Sequence, residues 1–401
     1  MKIVQINACS YGSTGKIMLQ LAKLAEDNDY ESYVCFPDSR SNRKIDVNFK
    51  TIIIGSILSR NVHMFISRFT GFNGLFSNLS TFLFIKKLKK IHPDIIHLHN
   101  IHNWFINIPM LFNYIKTNNV RVVWTLHDCW AFTGQCPYFT IAKCDKWKNG
   151  CFDCKQIHLY PSSKIDQTRL IWNLKKKWFS NVANMTIVTP SQWLGNLVKQ
   201  SYLKDYNLKV INNGIDLSTF KPIESNFKKK YNIKEYQTIL LGVSFCWDFR
   251  KGLDVFVDLA KKIDDNFVIV LVGTDNEIDK TLPNNVISIH RTNNQKELAM
   301  IYTAADFFIN PTREENYPTV NMESIACGTP VITFNTGGSP EIIDSTCGLV
   351  LKRNDVDCLY EEIIRLSSNN PYSIEKCIEK AKQFDKESRL KEYLKLYEEK
   401  N

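Results

Sequence analysis

Short apolar runs alternate with amphipathic helical segments along this chain, and this alternation restricts the fold more than any other feature. Residues 2–8 form an apolar run, residues 14–27 have helical periodicity, and residues 32–37 form the next run. The same order recurs from residue 94 onward. Buried parallel strands read as short apolar runs, and the helices that connect them repeat every 3.6 residues. The pattern is typical of α/β proteins with doubly wound parallel sheets.

The alternation pauses once, in the polar residues 210–235, and then restarts. With a length of 401 residues, this predicts two Rossmann-like domains, over 1–210 and 211–384, and a terminal helix over 385–401 that packs back toward the first domain. A Cys-rich loop over 129–160 belongs to the first domain. Ligands of open α/β sheets bind at the carboxyl ends of the strands, so a central cleft between the domains is the expected active site.

The net charge of +10 favours anionic partners. No apolar run reaches the ~20 residues that span a bilayer, and the N-terminus lacks the pattern of a secretion signal, so we expect a cytoplasmic protein. Basic and aromatic residues mix in residues 80–94 and 170–181. These stretches are either helices with solvated Lys faces or docking sites on an anionic membrane surface, on the inner face of the plasma membrane.

Two glutamates with seven residues between them form the most informative pattern in the second half of the chain. Glu315 precedes Pro318, which fits the first turn of a helix, and Gly328 ends that helix. Glu323 then lies about one and a half turns into the helix. The amides at the start of such a helix favour a phosphate, and a carboxylate can accept both hydroxyls of a ribose.

Two further segments have the composition of phosphate contacts. Arg250 and Lys251 follow a predicted strand and precede a helix, as suits a diphosphate. Gly12 and Gly15 lie in the turn before the first helix, where they permit close backbone approach. The spacing before Lys16 does not match a P-loop, so this turn is either structural or a phosphate contact.

Taken together and in this order, these motifs resemble the retaining glycosyltransferases of family 4, which have the two-domain GT-B fold. The resemblance covers nearly the full chain. It is carried by residues 6–16, 92–102, 210–222, 250–256 and 310–343. Residues 124–161, with their spaced cysteines, resemble a subgroup found in bacterial capsule, colanic-acid and related exopolysaccharide clusters.

The resemblance implies that Glu323 binds the ribose hydroxyls, that Glu315 faces the donor sugar, and that Lys251, helped by Arg250, contacts the diphosphate. It also implies that His127 lies near the transferred sugar, which makes Glu315, His127 and Lys251 the expected catalytic residues. The donor-binding residues that it implies are Gly12, Ser13, Thr14, Gly15, Arg250, Lys251, Glu315, Asn316, Tyr317, Thr319, Val320 and Glu323.

The chain departs from the family pattern at two places. Phe245 and Cys246 occupy the region where the family often has an Arg before the Lys. The usual Gly-Phe-Gly after the first glutamate is replaced by Asn316, Tyr317 and Pro318, and Pro318 has no N–H to offer. Base and sugar preference, and the phosphate contacts at this point, can therefore differ from those of the family.

The implied activity is hexosyl transfer from a UDP- or GDP-sugar, with retention at the anomeric carbon and without a metal or other cofactor in catalysis. The implied acceptor is a glycan, linked to a polyprenyl diphosphate, in capsule, exopolysaccharide or O-antigen synthesis. Asp355 and Asp357 resemble an Asp-x-Asp metal motif, but their place before a helix favours an N-cap. The alternative is a non-catalytic nucleotide- or glycan-binding protein; dispersed positive charge without a recognised motif argues against nucleic acid.

Histidine and cysteine clusters in the first half require their own interpretation. His97, His99 and His102 belong to a strand end and the loop after it, although alternate residues on a strand share a face and could line a metal site. Four cysteines follow within 19 residues: Cys136, Cys144, Cys151 and Cys154. They predict a structural zinc, packing thiols or disulfides. In each case we expect the loop to brace an insertion beside the acceptor pocket.

Overall fold

The computed structural model of the protein describes residues 1–44 and 48–399. Two compact units make up the chain: Met1–Ile211 with Leu390–Asn401, and Asn212–Arg389. Each contains one parallel sheet with helices on it. The prediction of two Rossmann-like α/β domains is therefore confirmed. Residues 400 and 401, at the end of the predicted terminal helix, lie outside the described residues.

The first unit is built on seven parallel strands in the order β3-β2-β1-β4-β5-β6-β7. They are β1 (Lys2–Ile6), β2 (Glu31–Pro37), β3 (Lys50–Ile54), β4 (Ile95–Leu98), β5 (Arg121–Thr125), β6 (Met185–Thr189) and β7 (Asn207–Val210). In the middle of the sheet, Ile3 of β1 pairs with Ser32 of β2 and with Ile95 of β4. All residues of β4 and β6 are buried, as expected for parallel strands covered on both faces.

Six helices connect these strands, and a seventh arrives from the C-terminal end of the chain. They are α1 (Gly12–Asp27), α2 (Ile57–Thr70), α3 (Asn78–Ile91), α4 (Ile108–Thr117), α5 (Thr168–Phe179), α6 (Gln192–Val198) and α14 (Lys386–Glu398). Helix α1 buries Met18, Leu21, Ala22 and Ala25, which lie on one face. From Leu390 onward, α14 belongs to the first unit.

The second unit has six parallel strands in the order β10-β9-β8-β11-β12-β13. They are β8 (Thr238–Val243), β9 (Phe267–Val272), β10 (Val286–Ile289), β11 (Phe307–Asn310), β12 (Val331–Phe334) and β13 (Gly348–Leu351). Every residue of β9, β11 and β12 is buried. Strands β8 and β11 are neighbours in this sheet, and Leu240 pairs with Phe307. The segment with Arg250 and Lys251 follows the carboxyl end of β8, and the segment with Glu315 follows that of β11.

The helices of the second unit are α7 (Phe227–Lys230), α8 (Leu253–Lys262), α9 (Asn276–Asp279), α10 (Gln295–Ala304), α11 (Thr319–Ala326), α12 (Val356–Ser368) and α13 (Ile374–Ala381). Helix α12 is capped by Asp355, whose side chain accepts a hydrogen bond from the amide of Cys358. The predicted N-cap is confirmed there. In residues 1–44 and 48–399, no helix combines the length and the hydropathy of a membrane span.

Candidate functional site

Helix α11 and the loop before it place the two predicted glutamates. The helix begins after Pro318, which has the extended backbone of an N-cap and offers no side-chain hydrogen bond. Gly328, just beyond the helix, has a φ of +87°, which glycine adopts without strain. Glu315 lies in the loop, and Glu323 is the fifth residue of the helix. The helix predicted from Pro318 and Gly328 is thus confirmed.

Lys251 and Glu315 form an ion pair at the carboxyl ends of β8 and β11. The Lys251 Nζ lies 2.5 Å from Glu315 Oε2, and the side chains are only 23% and 17% exposed. Burial by itself raises the pKa of Glu315, but the ammonium of Lys251, the amide of Asn316 and the nearby Arg250 outweigh it and hold the pKa below its usual range. Glu315 is therefore ionised at neutral pH.

A short turn carries both basic residues. Asp248 accepts a hydrogen bond from the amide of Lys251 at 2.8 Å, and Gly252, with a φ of +80°, leads directly into α8. The Nε atom of Arg250 lies 3.9 Å from Oδ2 of Asp248. The pattern of two cations between a strand and a helix therefore has the predicted location.

Arg313, which belongs to none of the predicted motif contacts, holds this turn in place. Its guanidinium donates two hydrogen bonds of 2.7 Å to Asp254 and one of 2.6 Å to the carbonyl of Phe249. Its amide donates to the carbonyl of Arg250 at 2.8 Å. A two-pronged Arg–carboxylate pair fixes geometry as well as charge. Arg313 therefore connects the loop of Glu315 to the turn of Lys251.

The loop after β12 approaches the backbone of Glu315 more closely than any side chain permits. A Cβ at Gly337 would lie 1.8 Å from the Glu315 carbonyl oxygen, and the φ of Gly337 is +57°. The amide of Gly338 donates to the Asn316 carbonyl at 2.7 Å. Beside this contact, the buried hydroxyls of Thr336 and Ser339 have no hydrogen-bond partner among the described residues.

The other predicted donor residues of this unit fall into two groups. Thr319 and Val320 form the first turn of α11 and are partly exposed. Asn316 and Tyr317 are 4% and 5% exposed, and the Tyr317 ring packs in the hydrophobic core. What Tyr317 can offer a ligand is therefore its backbone.

Glu323 has a buried neighbour. The hydroxyl of Tyr302 donates to its carboxylate at 3.2 Å. Burial first, and the charge of Glu323 second, raise the pKa of Tyr302 well above its usual value, so this donor keeps its proton.

In the first unit, three of the histidines stack at the ends of β4 and β5. The rings of His97 and His99 are 4.2 Å apart, and those of His99 and His127 are 5.4 Å apart. His99 Nδ1 and His127 Nε2 share a hydrogen bond of 3.1 Å. Burial lowers the pKa of His127 to about 4, against the opposing charge of Asp128. His127 is therefore a neutral imidazole at pH 7, suited to polar contact rather than to charge.

Helix α14 closes the inner end of this stack. His97 Nδ1 is 2.6 Å from the Tyr397 hydroxyl, and His97 Nε2 is 2.8 Å from the Thr125 hydroxyl. These bonds hold His97 in the core. His102, by contrast, has its Nε2 atom 3.1 Å from Oδ2 of Asp128 and its Nδ1 atom 2.9 Å from the hydroxyl of Tyr160. The three histidines of this segment thus have two different environments.

Gly12, Ser13, Thr14 and Gly15 form the first turn of α1 rather than a separate loop. Gly12 has a φ of +67° and open space around it. Gly15 has ordinary backbone angles, but a Cβ there would lie 2.5 Å from the backbone of Ser10. Of these two glycines, Gly12 is therefore the one with positive φ, and Gly15 allows the helix to approach the backbone of Ser10 closely.

The four clustered cysteines line one cavity of the first unit. Cys151 Sγ accepts a hydrogen bond from the amide of Gly134 at 3.1 Å, and all twelve cysteines of the chain are free. In residues 1–44 and 48–399, no three Cys, His, Asp or Glu side chains are grouped so that they could hold a metal ion. The structural zinc therefore gains no support from this geometry and stays a prediction.

A buried lysine lies under this loop. Lys175 Nζ donates to the carbonyls of Trp130 and Thr133 and lies 3.5 Å from the centre of the Trp130 ring. Burial lowers its pKa to about 7, although the nearby Cys151 and Cys136 oppose the shift. The ammonium has no carboxylate within 4 Å in the described part of the chain.

Lys175 should make the stability of the first unit depend on pH. Its pKa is about 10.4 in an unfolded chain, so between about pH 7 and pH 10 the unfolded state binds more protons and stability rises with pH. Relative to Lys175→Met, the wild-type free energy of unfolding should rise by up to about 1.4 kcal/mol per pH unit. Urea unfolding followed by tryptophan fluorescence measures this, because seven of the eight tryptophans lie in the first unit. Parallel pH profiles of the two proteins would contradict it.

Family models match both units. The model described as "Glycosyltransferase Family 4" matches residues 14–219, which is more than half of the chain. This chain belongs to glycosyltransferase family 4. A second model, described as "Glycosyl transferases group 1", matches residues 224–389 of this chain. That range includes the Lys251–Glu315 pair. The resemblance drawn from the motifs is therefore confirmed.

Curated relatives of this chain include proteins named for colanic acid biosynthesis and for a cps region. A putative colanic acid biosynthesis glycosyltransferase, WcaC, of Escherichia coli is 24% identical over 66% of this chain and 65% of its own length. An uncharacterized protein in the cps region of Klebsiella pneumoniae is 26% identical over 86% of each chain. A UDP-Gal:alpha-D-GlcNAc-diphosphoundecaprenol alpha-1,3-galactosyltransferase of Escherichia coli is 24% identical over 54% of this chain and 59% of its own length. The first and third matches span less than two thirds of those relatives.

Solved structures support the fold. Sucrose-phosphate synthase from Thermosynechococcus elongatus superposes with a TM-score of 0.73 at 19% identity, over 99% of this chain and 98% of that one. Anabaena HepE in complex with UDP-glucose gives 0.70 at 13% identity, over 99% of both chains. The family member thus has the GT-B fold that the motifs predicted. The roles of its individual site residues stay predictions.

Proposed function

We propose that this protein transfers a hexosyl group from a UDP- or GDP-sugar to a glycan carried on a polyprenyl diphosphate, in capsule, exopolysaccharide or O-antigen synthesis. Its family membership supports glycosyl transfer as the class of reaction. The galactosyltransferase relative, whose name includes a UDP-sugar donor and a diphosphoundecaprenol acceptor, supports the two substrate classes. The UDP-glucose complex of HepE supports a UDP-sugar on this fold.

The ion pair of Lys251 and Glu315 is the observation that carries this proposal. A partly buried ammonium beside a partly buried carboxylate, at the carboxyl ends of parallel strands, suits a ligand that has both phosphates and hydroxyls. In the proposed complex, Lys251 and Arg250 contact the diphosphate, Glu315 accepts hydrogen bonds from donor-sugar hydroxyls, and Glu323 accepts those of the ribose. The amides of the first turn of α11 add donors for phosphate oxygens.

In the proposed reaction, the bond from the anomeric carbon to the diphosphate breaks, and the nucleoside diphosphate leaves with the electron pair. The acceptor hydroxyl oxygen forms the new bond on the same face of the sugar, and its proton passes to the departing phosphate. Lys251 and Arg250 stabilise the charge that develops on that phosphate, so the residues present supply what a metal ion supplies in other folds. His127, as a neutral imidazole, contacts a sugar hydroxyl.

Ligand binding tests the donor class. In thermal unfolding with UDP, GDP, ADP and their hexose conjugates, we expect a UDP- or GDP-sugar to raise the unfolding temperature most. A ligand at 100 times its dissociation constant adds about 2.7 kcal/mol of stability. UDP should stabilise the chain more than UMP does, because the proposed cations contact the second phosphate. Lys251→Met should reduce this difference, since Arg250 alone then contacts the diphosphate.

Slow hydrolysis of the preferred sugar nucleotide without acceptor separates an enzyme from a non-catalytic binding protein. We expect release of nucleoside diphosphate that Glu315→Gln slows about tenfold or more. A ligand that binds tightly but is never hydrolysed, with or without glycan acceptors, would support the binding protein instead. No stabilisation by any nucleoside diphosphate would remove the proposed function as a whole.

A further inference from the structure

Helix α2 of the first unit turns its apolar side to the solvent. Leu58, Val62, Phe65 and Phe69 follow one another at intervals of four, three and four residues, so they lie on one face. They are 72%, 48%, 62% and 41% exposed. A helix on the surface of a globular protein ordinarily directs such an apolar stripe toward the core. The orientation of α2 is the reverse of this rule.

Polar contacts hold the opposite side of α2. His63 and Ser67 are its buried residues. His63 Nδ1 is 2.8 Å from the hydroxyl of Ser77, which precedes α3, and the hydroxyl of Ser59 is 3.0 Å from that of Ser80. Two hydrogen bonds to the start of α3 thus fix which face of α2 is exposed. The apolar stripe is a consequence of specific packing and not of a loosely attached helix.

Helix α3 extends the same kind of surface. Leu79 and Phe82 are 71% and 47% exposed, and the ammonium of Lys86 lies 4.6 Å from the centre of the Phe82 ring. Two helices linked by hydrogen bonds thus both expose large apolar side chains. We call this the α2–α3 surface; its apolar members are Leu58, Val62, Phe65, Phe69, Leu79 and Phe82.

The charge around the α2–α3 surface has one sign. Residues 47–93 contain no Asp or Glu but seven basic residues. These are Lys50, Arg60, Arg68, Lys86, Lys87, Lys89 and Lys90. Lys50 pairs with Glu31 at 2.7 Å. The other six have no carboxylate within 4 Å in residues 1–44 and 48–399. An apolar surface bordered by unpaired cations matches a partner that is apolar inside and anionic outside.

We propose that the α2–α3 surface docks on an anionic lipid bilayer, with its apolar side chains among the acyl chains and headgroups and its Lys and Arg residues at the lipid phosphates. A second copy of the chain fits the surface less well, because self-association would bring two sets of unpaired cations together. The second basic stretch of the sequence is not part of this surface. In α5, Trp172, Lys175 and Phe179 are buried, and docking of residues 170–181 on a membrane stays a prediction.

Vesicle flotation of the full chain tests the docking site. The vesicles contain phosphatidylcholine with or without a minority of phosphatidylglycerol, and they carry no glycan, so the result does not depend on the proposed transfer. Binding should require phosphatidylglycerol and weaken with salt. Lys86→Glu with Lys90→Glu should weaken it by at least about twenty-fivefold, since each basic residue near the headgroups is worth about fivefold. Leu58→Ser with Phe65→Ser should weaken it by about tenfold or more.

Matched pairs on the second unit control for charge and for apolar area. Lys229→Glu with Lys234→Glu makes the same change in net charge, and Tyr236→Ser with Ile364→Ser removes exposed apolar side chains. Both control pairs should float like the wild type. The proposal is overturned if surface and control variants lose binding equally, or if neutral vesicles bind as well as anionic ones. It is also overturned if the chain binds no vesicles but forms a dimer that Leu58→Ser with Phe65→Ser dissociates.

Discussion

Glu315→Gln and Lys251→Met should each lower kcat/KM for donor turnover about tenfold or more, because each removes one partner of a charge-assisted contact, worth about 1.5–3 kcal/mol. The carboxylate and the ammonium are 2.5 Å apart and largely shielded from water. In the proposed complex, one faces the sugar and the other the diphosphate. The measurement is release of nucleoside diphosphate from the preferred sugar nucleotide, with circular dichroism of the full chain as the check on folding.

The double variant shows whether the two residues act as a unit. If Lys251 orients Glu315 as well as contacting phosphate, the combined loss should be smaller than the product of the single losses, as is usual for residues in contact. Lys262 and Asp357, a largely exposed pair on the same unit, 2.8 Å apart, provide the control. Lys262→Met and Asp357→Asn should keep wild-type turnover. Wild-type turnover in both Glu315→Gln and Lys251→Met would refute the site assignment.

Local sequence patterns predicted the elements that carry this pair. Pro318 and Gly328 bounded α11 correctly, because proline at a helix start and glycine just past its end are determined by backbone chemistry within a few residues. The alternation of strand and helix signals likewise predicted two parallel α/β units. Family resemblance assigned Lys251 and Glu315 to one donor site, but it did not predict their direct contact across a sequence separation of 64.

Features that depend on distant contacts could not be predicted in this way. Arg313 reads as one more charged residue before the glutamates, and only the folded chain brings Asp254 to it. The burial of His97 depends on Tyr397, 300 residues away. Helix α2 has a clear amphipathic pattern, which predicts that its apolar face is buried, whereas the structure exposes that face. Periodicity gives the position of an apolar stripe, whereas the hydrogen bonds of Ser59 and His63 decide which way it faces.

Gly337→Ala should reduce donor turnover about a hundredfold, although no atom of Gly337 takes part in the proposed chemistry. The added methyl would lie 1.8 Å from the Glu315 carbonyl oxygen. Because this oxygen belongs to the backbone and not to a flexible side chain, the loop of Glu315 must move. A misplacement of about 1 Å at a reacting group commonly costs about a hundredfold in rate. Combined with Glu315→Gln, the substitution should add little further loss, since the carboxylate that it displaces is already gone.

Gly150→Ala separates displacement from general backbone strain. Gly150 also has positive φ, at +136°, but a Cβ there would lie 4.0 Å from its nearest neighbour, an atom of the Trp172 ring. The Gly150→Ala substitution should therefore introduce an unfavourable φ without a steric clash, and donor hydrolysis should stay near the wild-type rate. Equal losses in the two variants would mean that strain alone explains Gly337→Ala. Full activity of Gly337→Ala would mean that Glu315 need not hold its position, and the role proposed for its carboxylate would fall with that result.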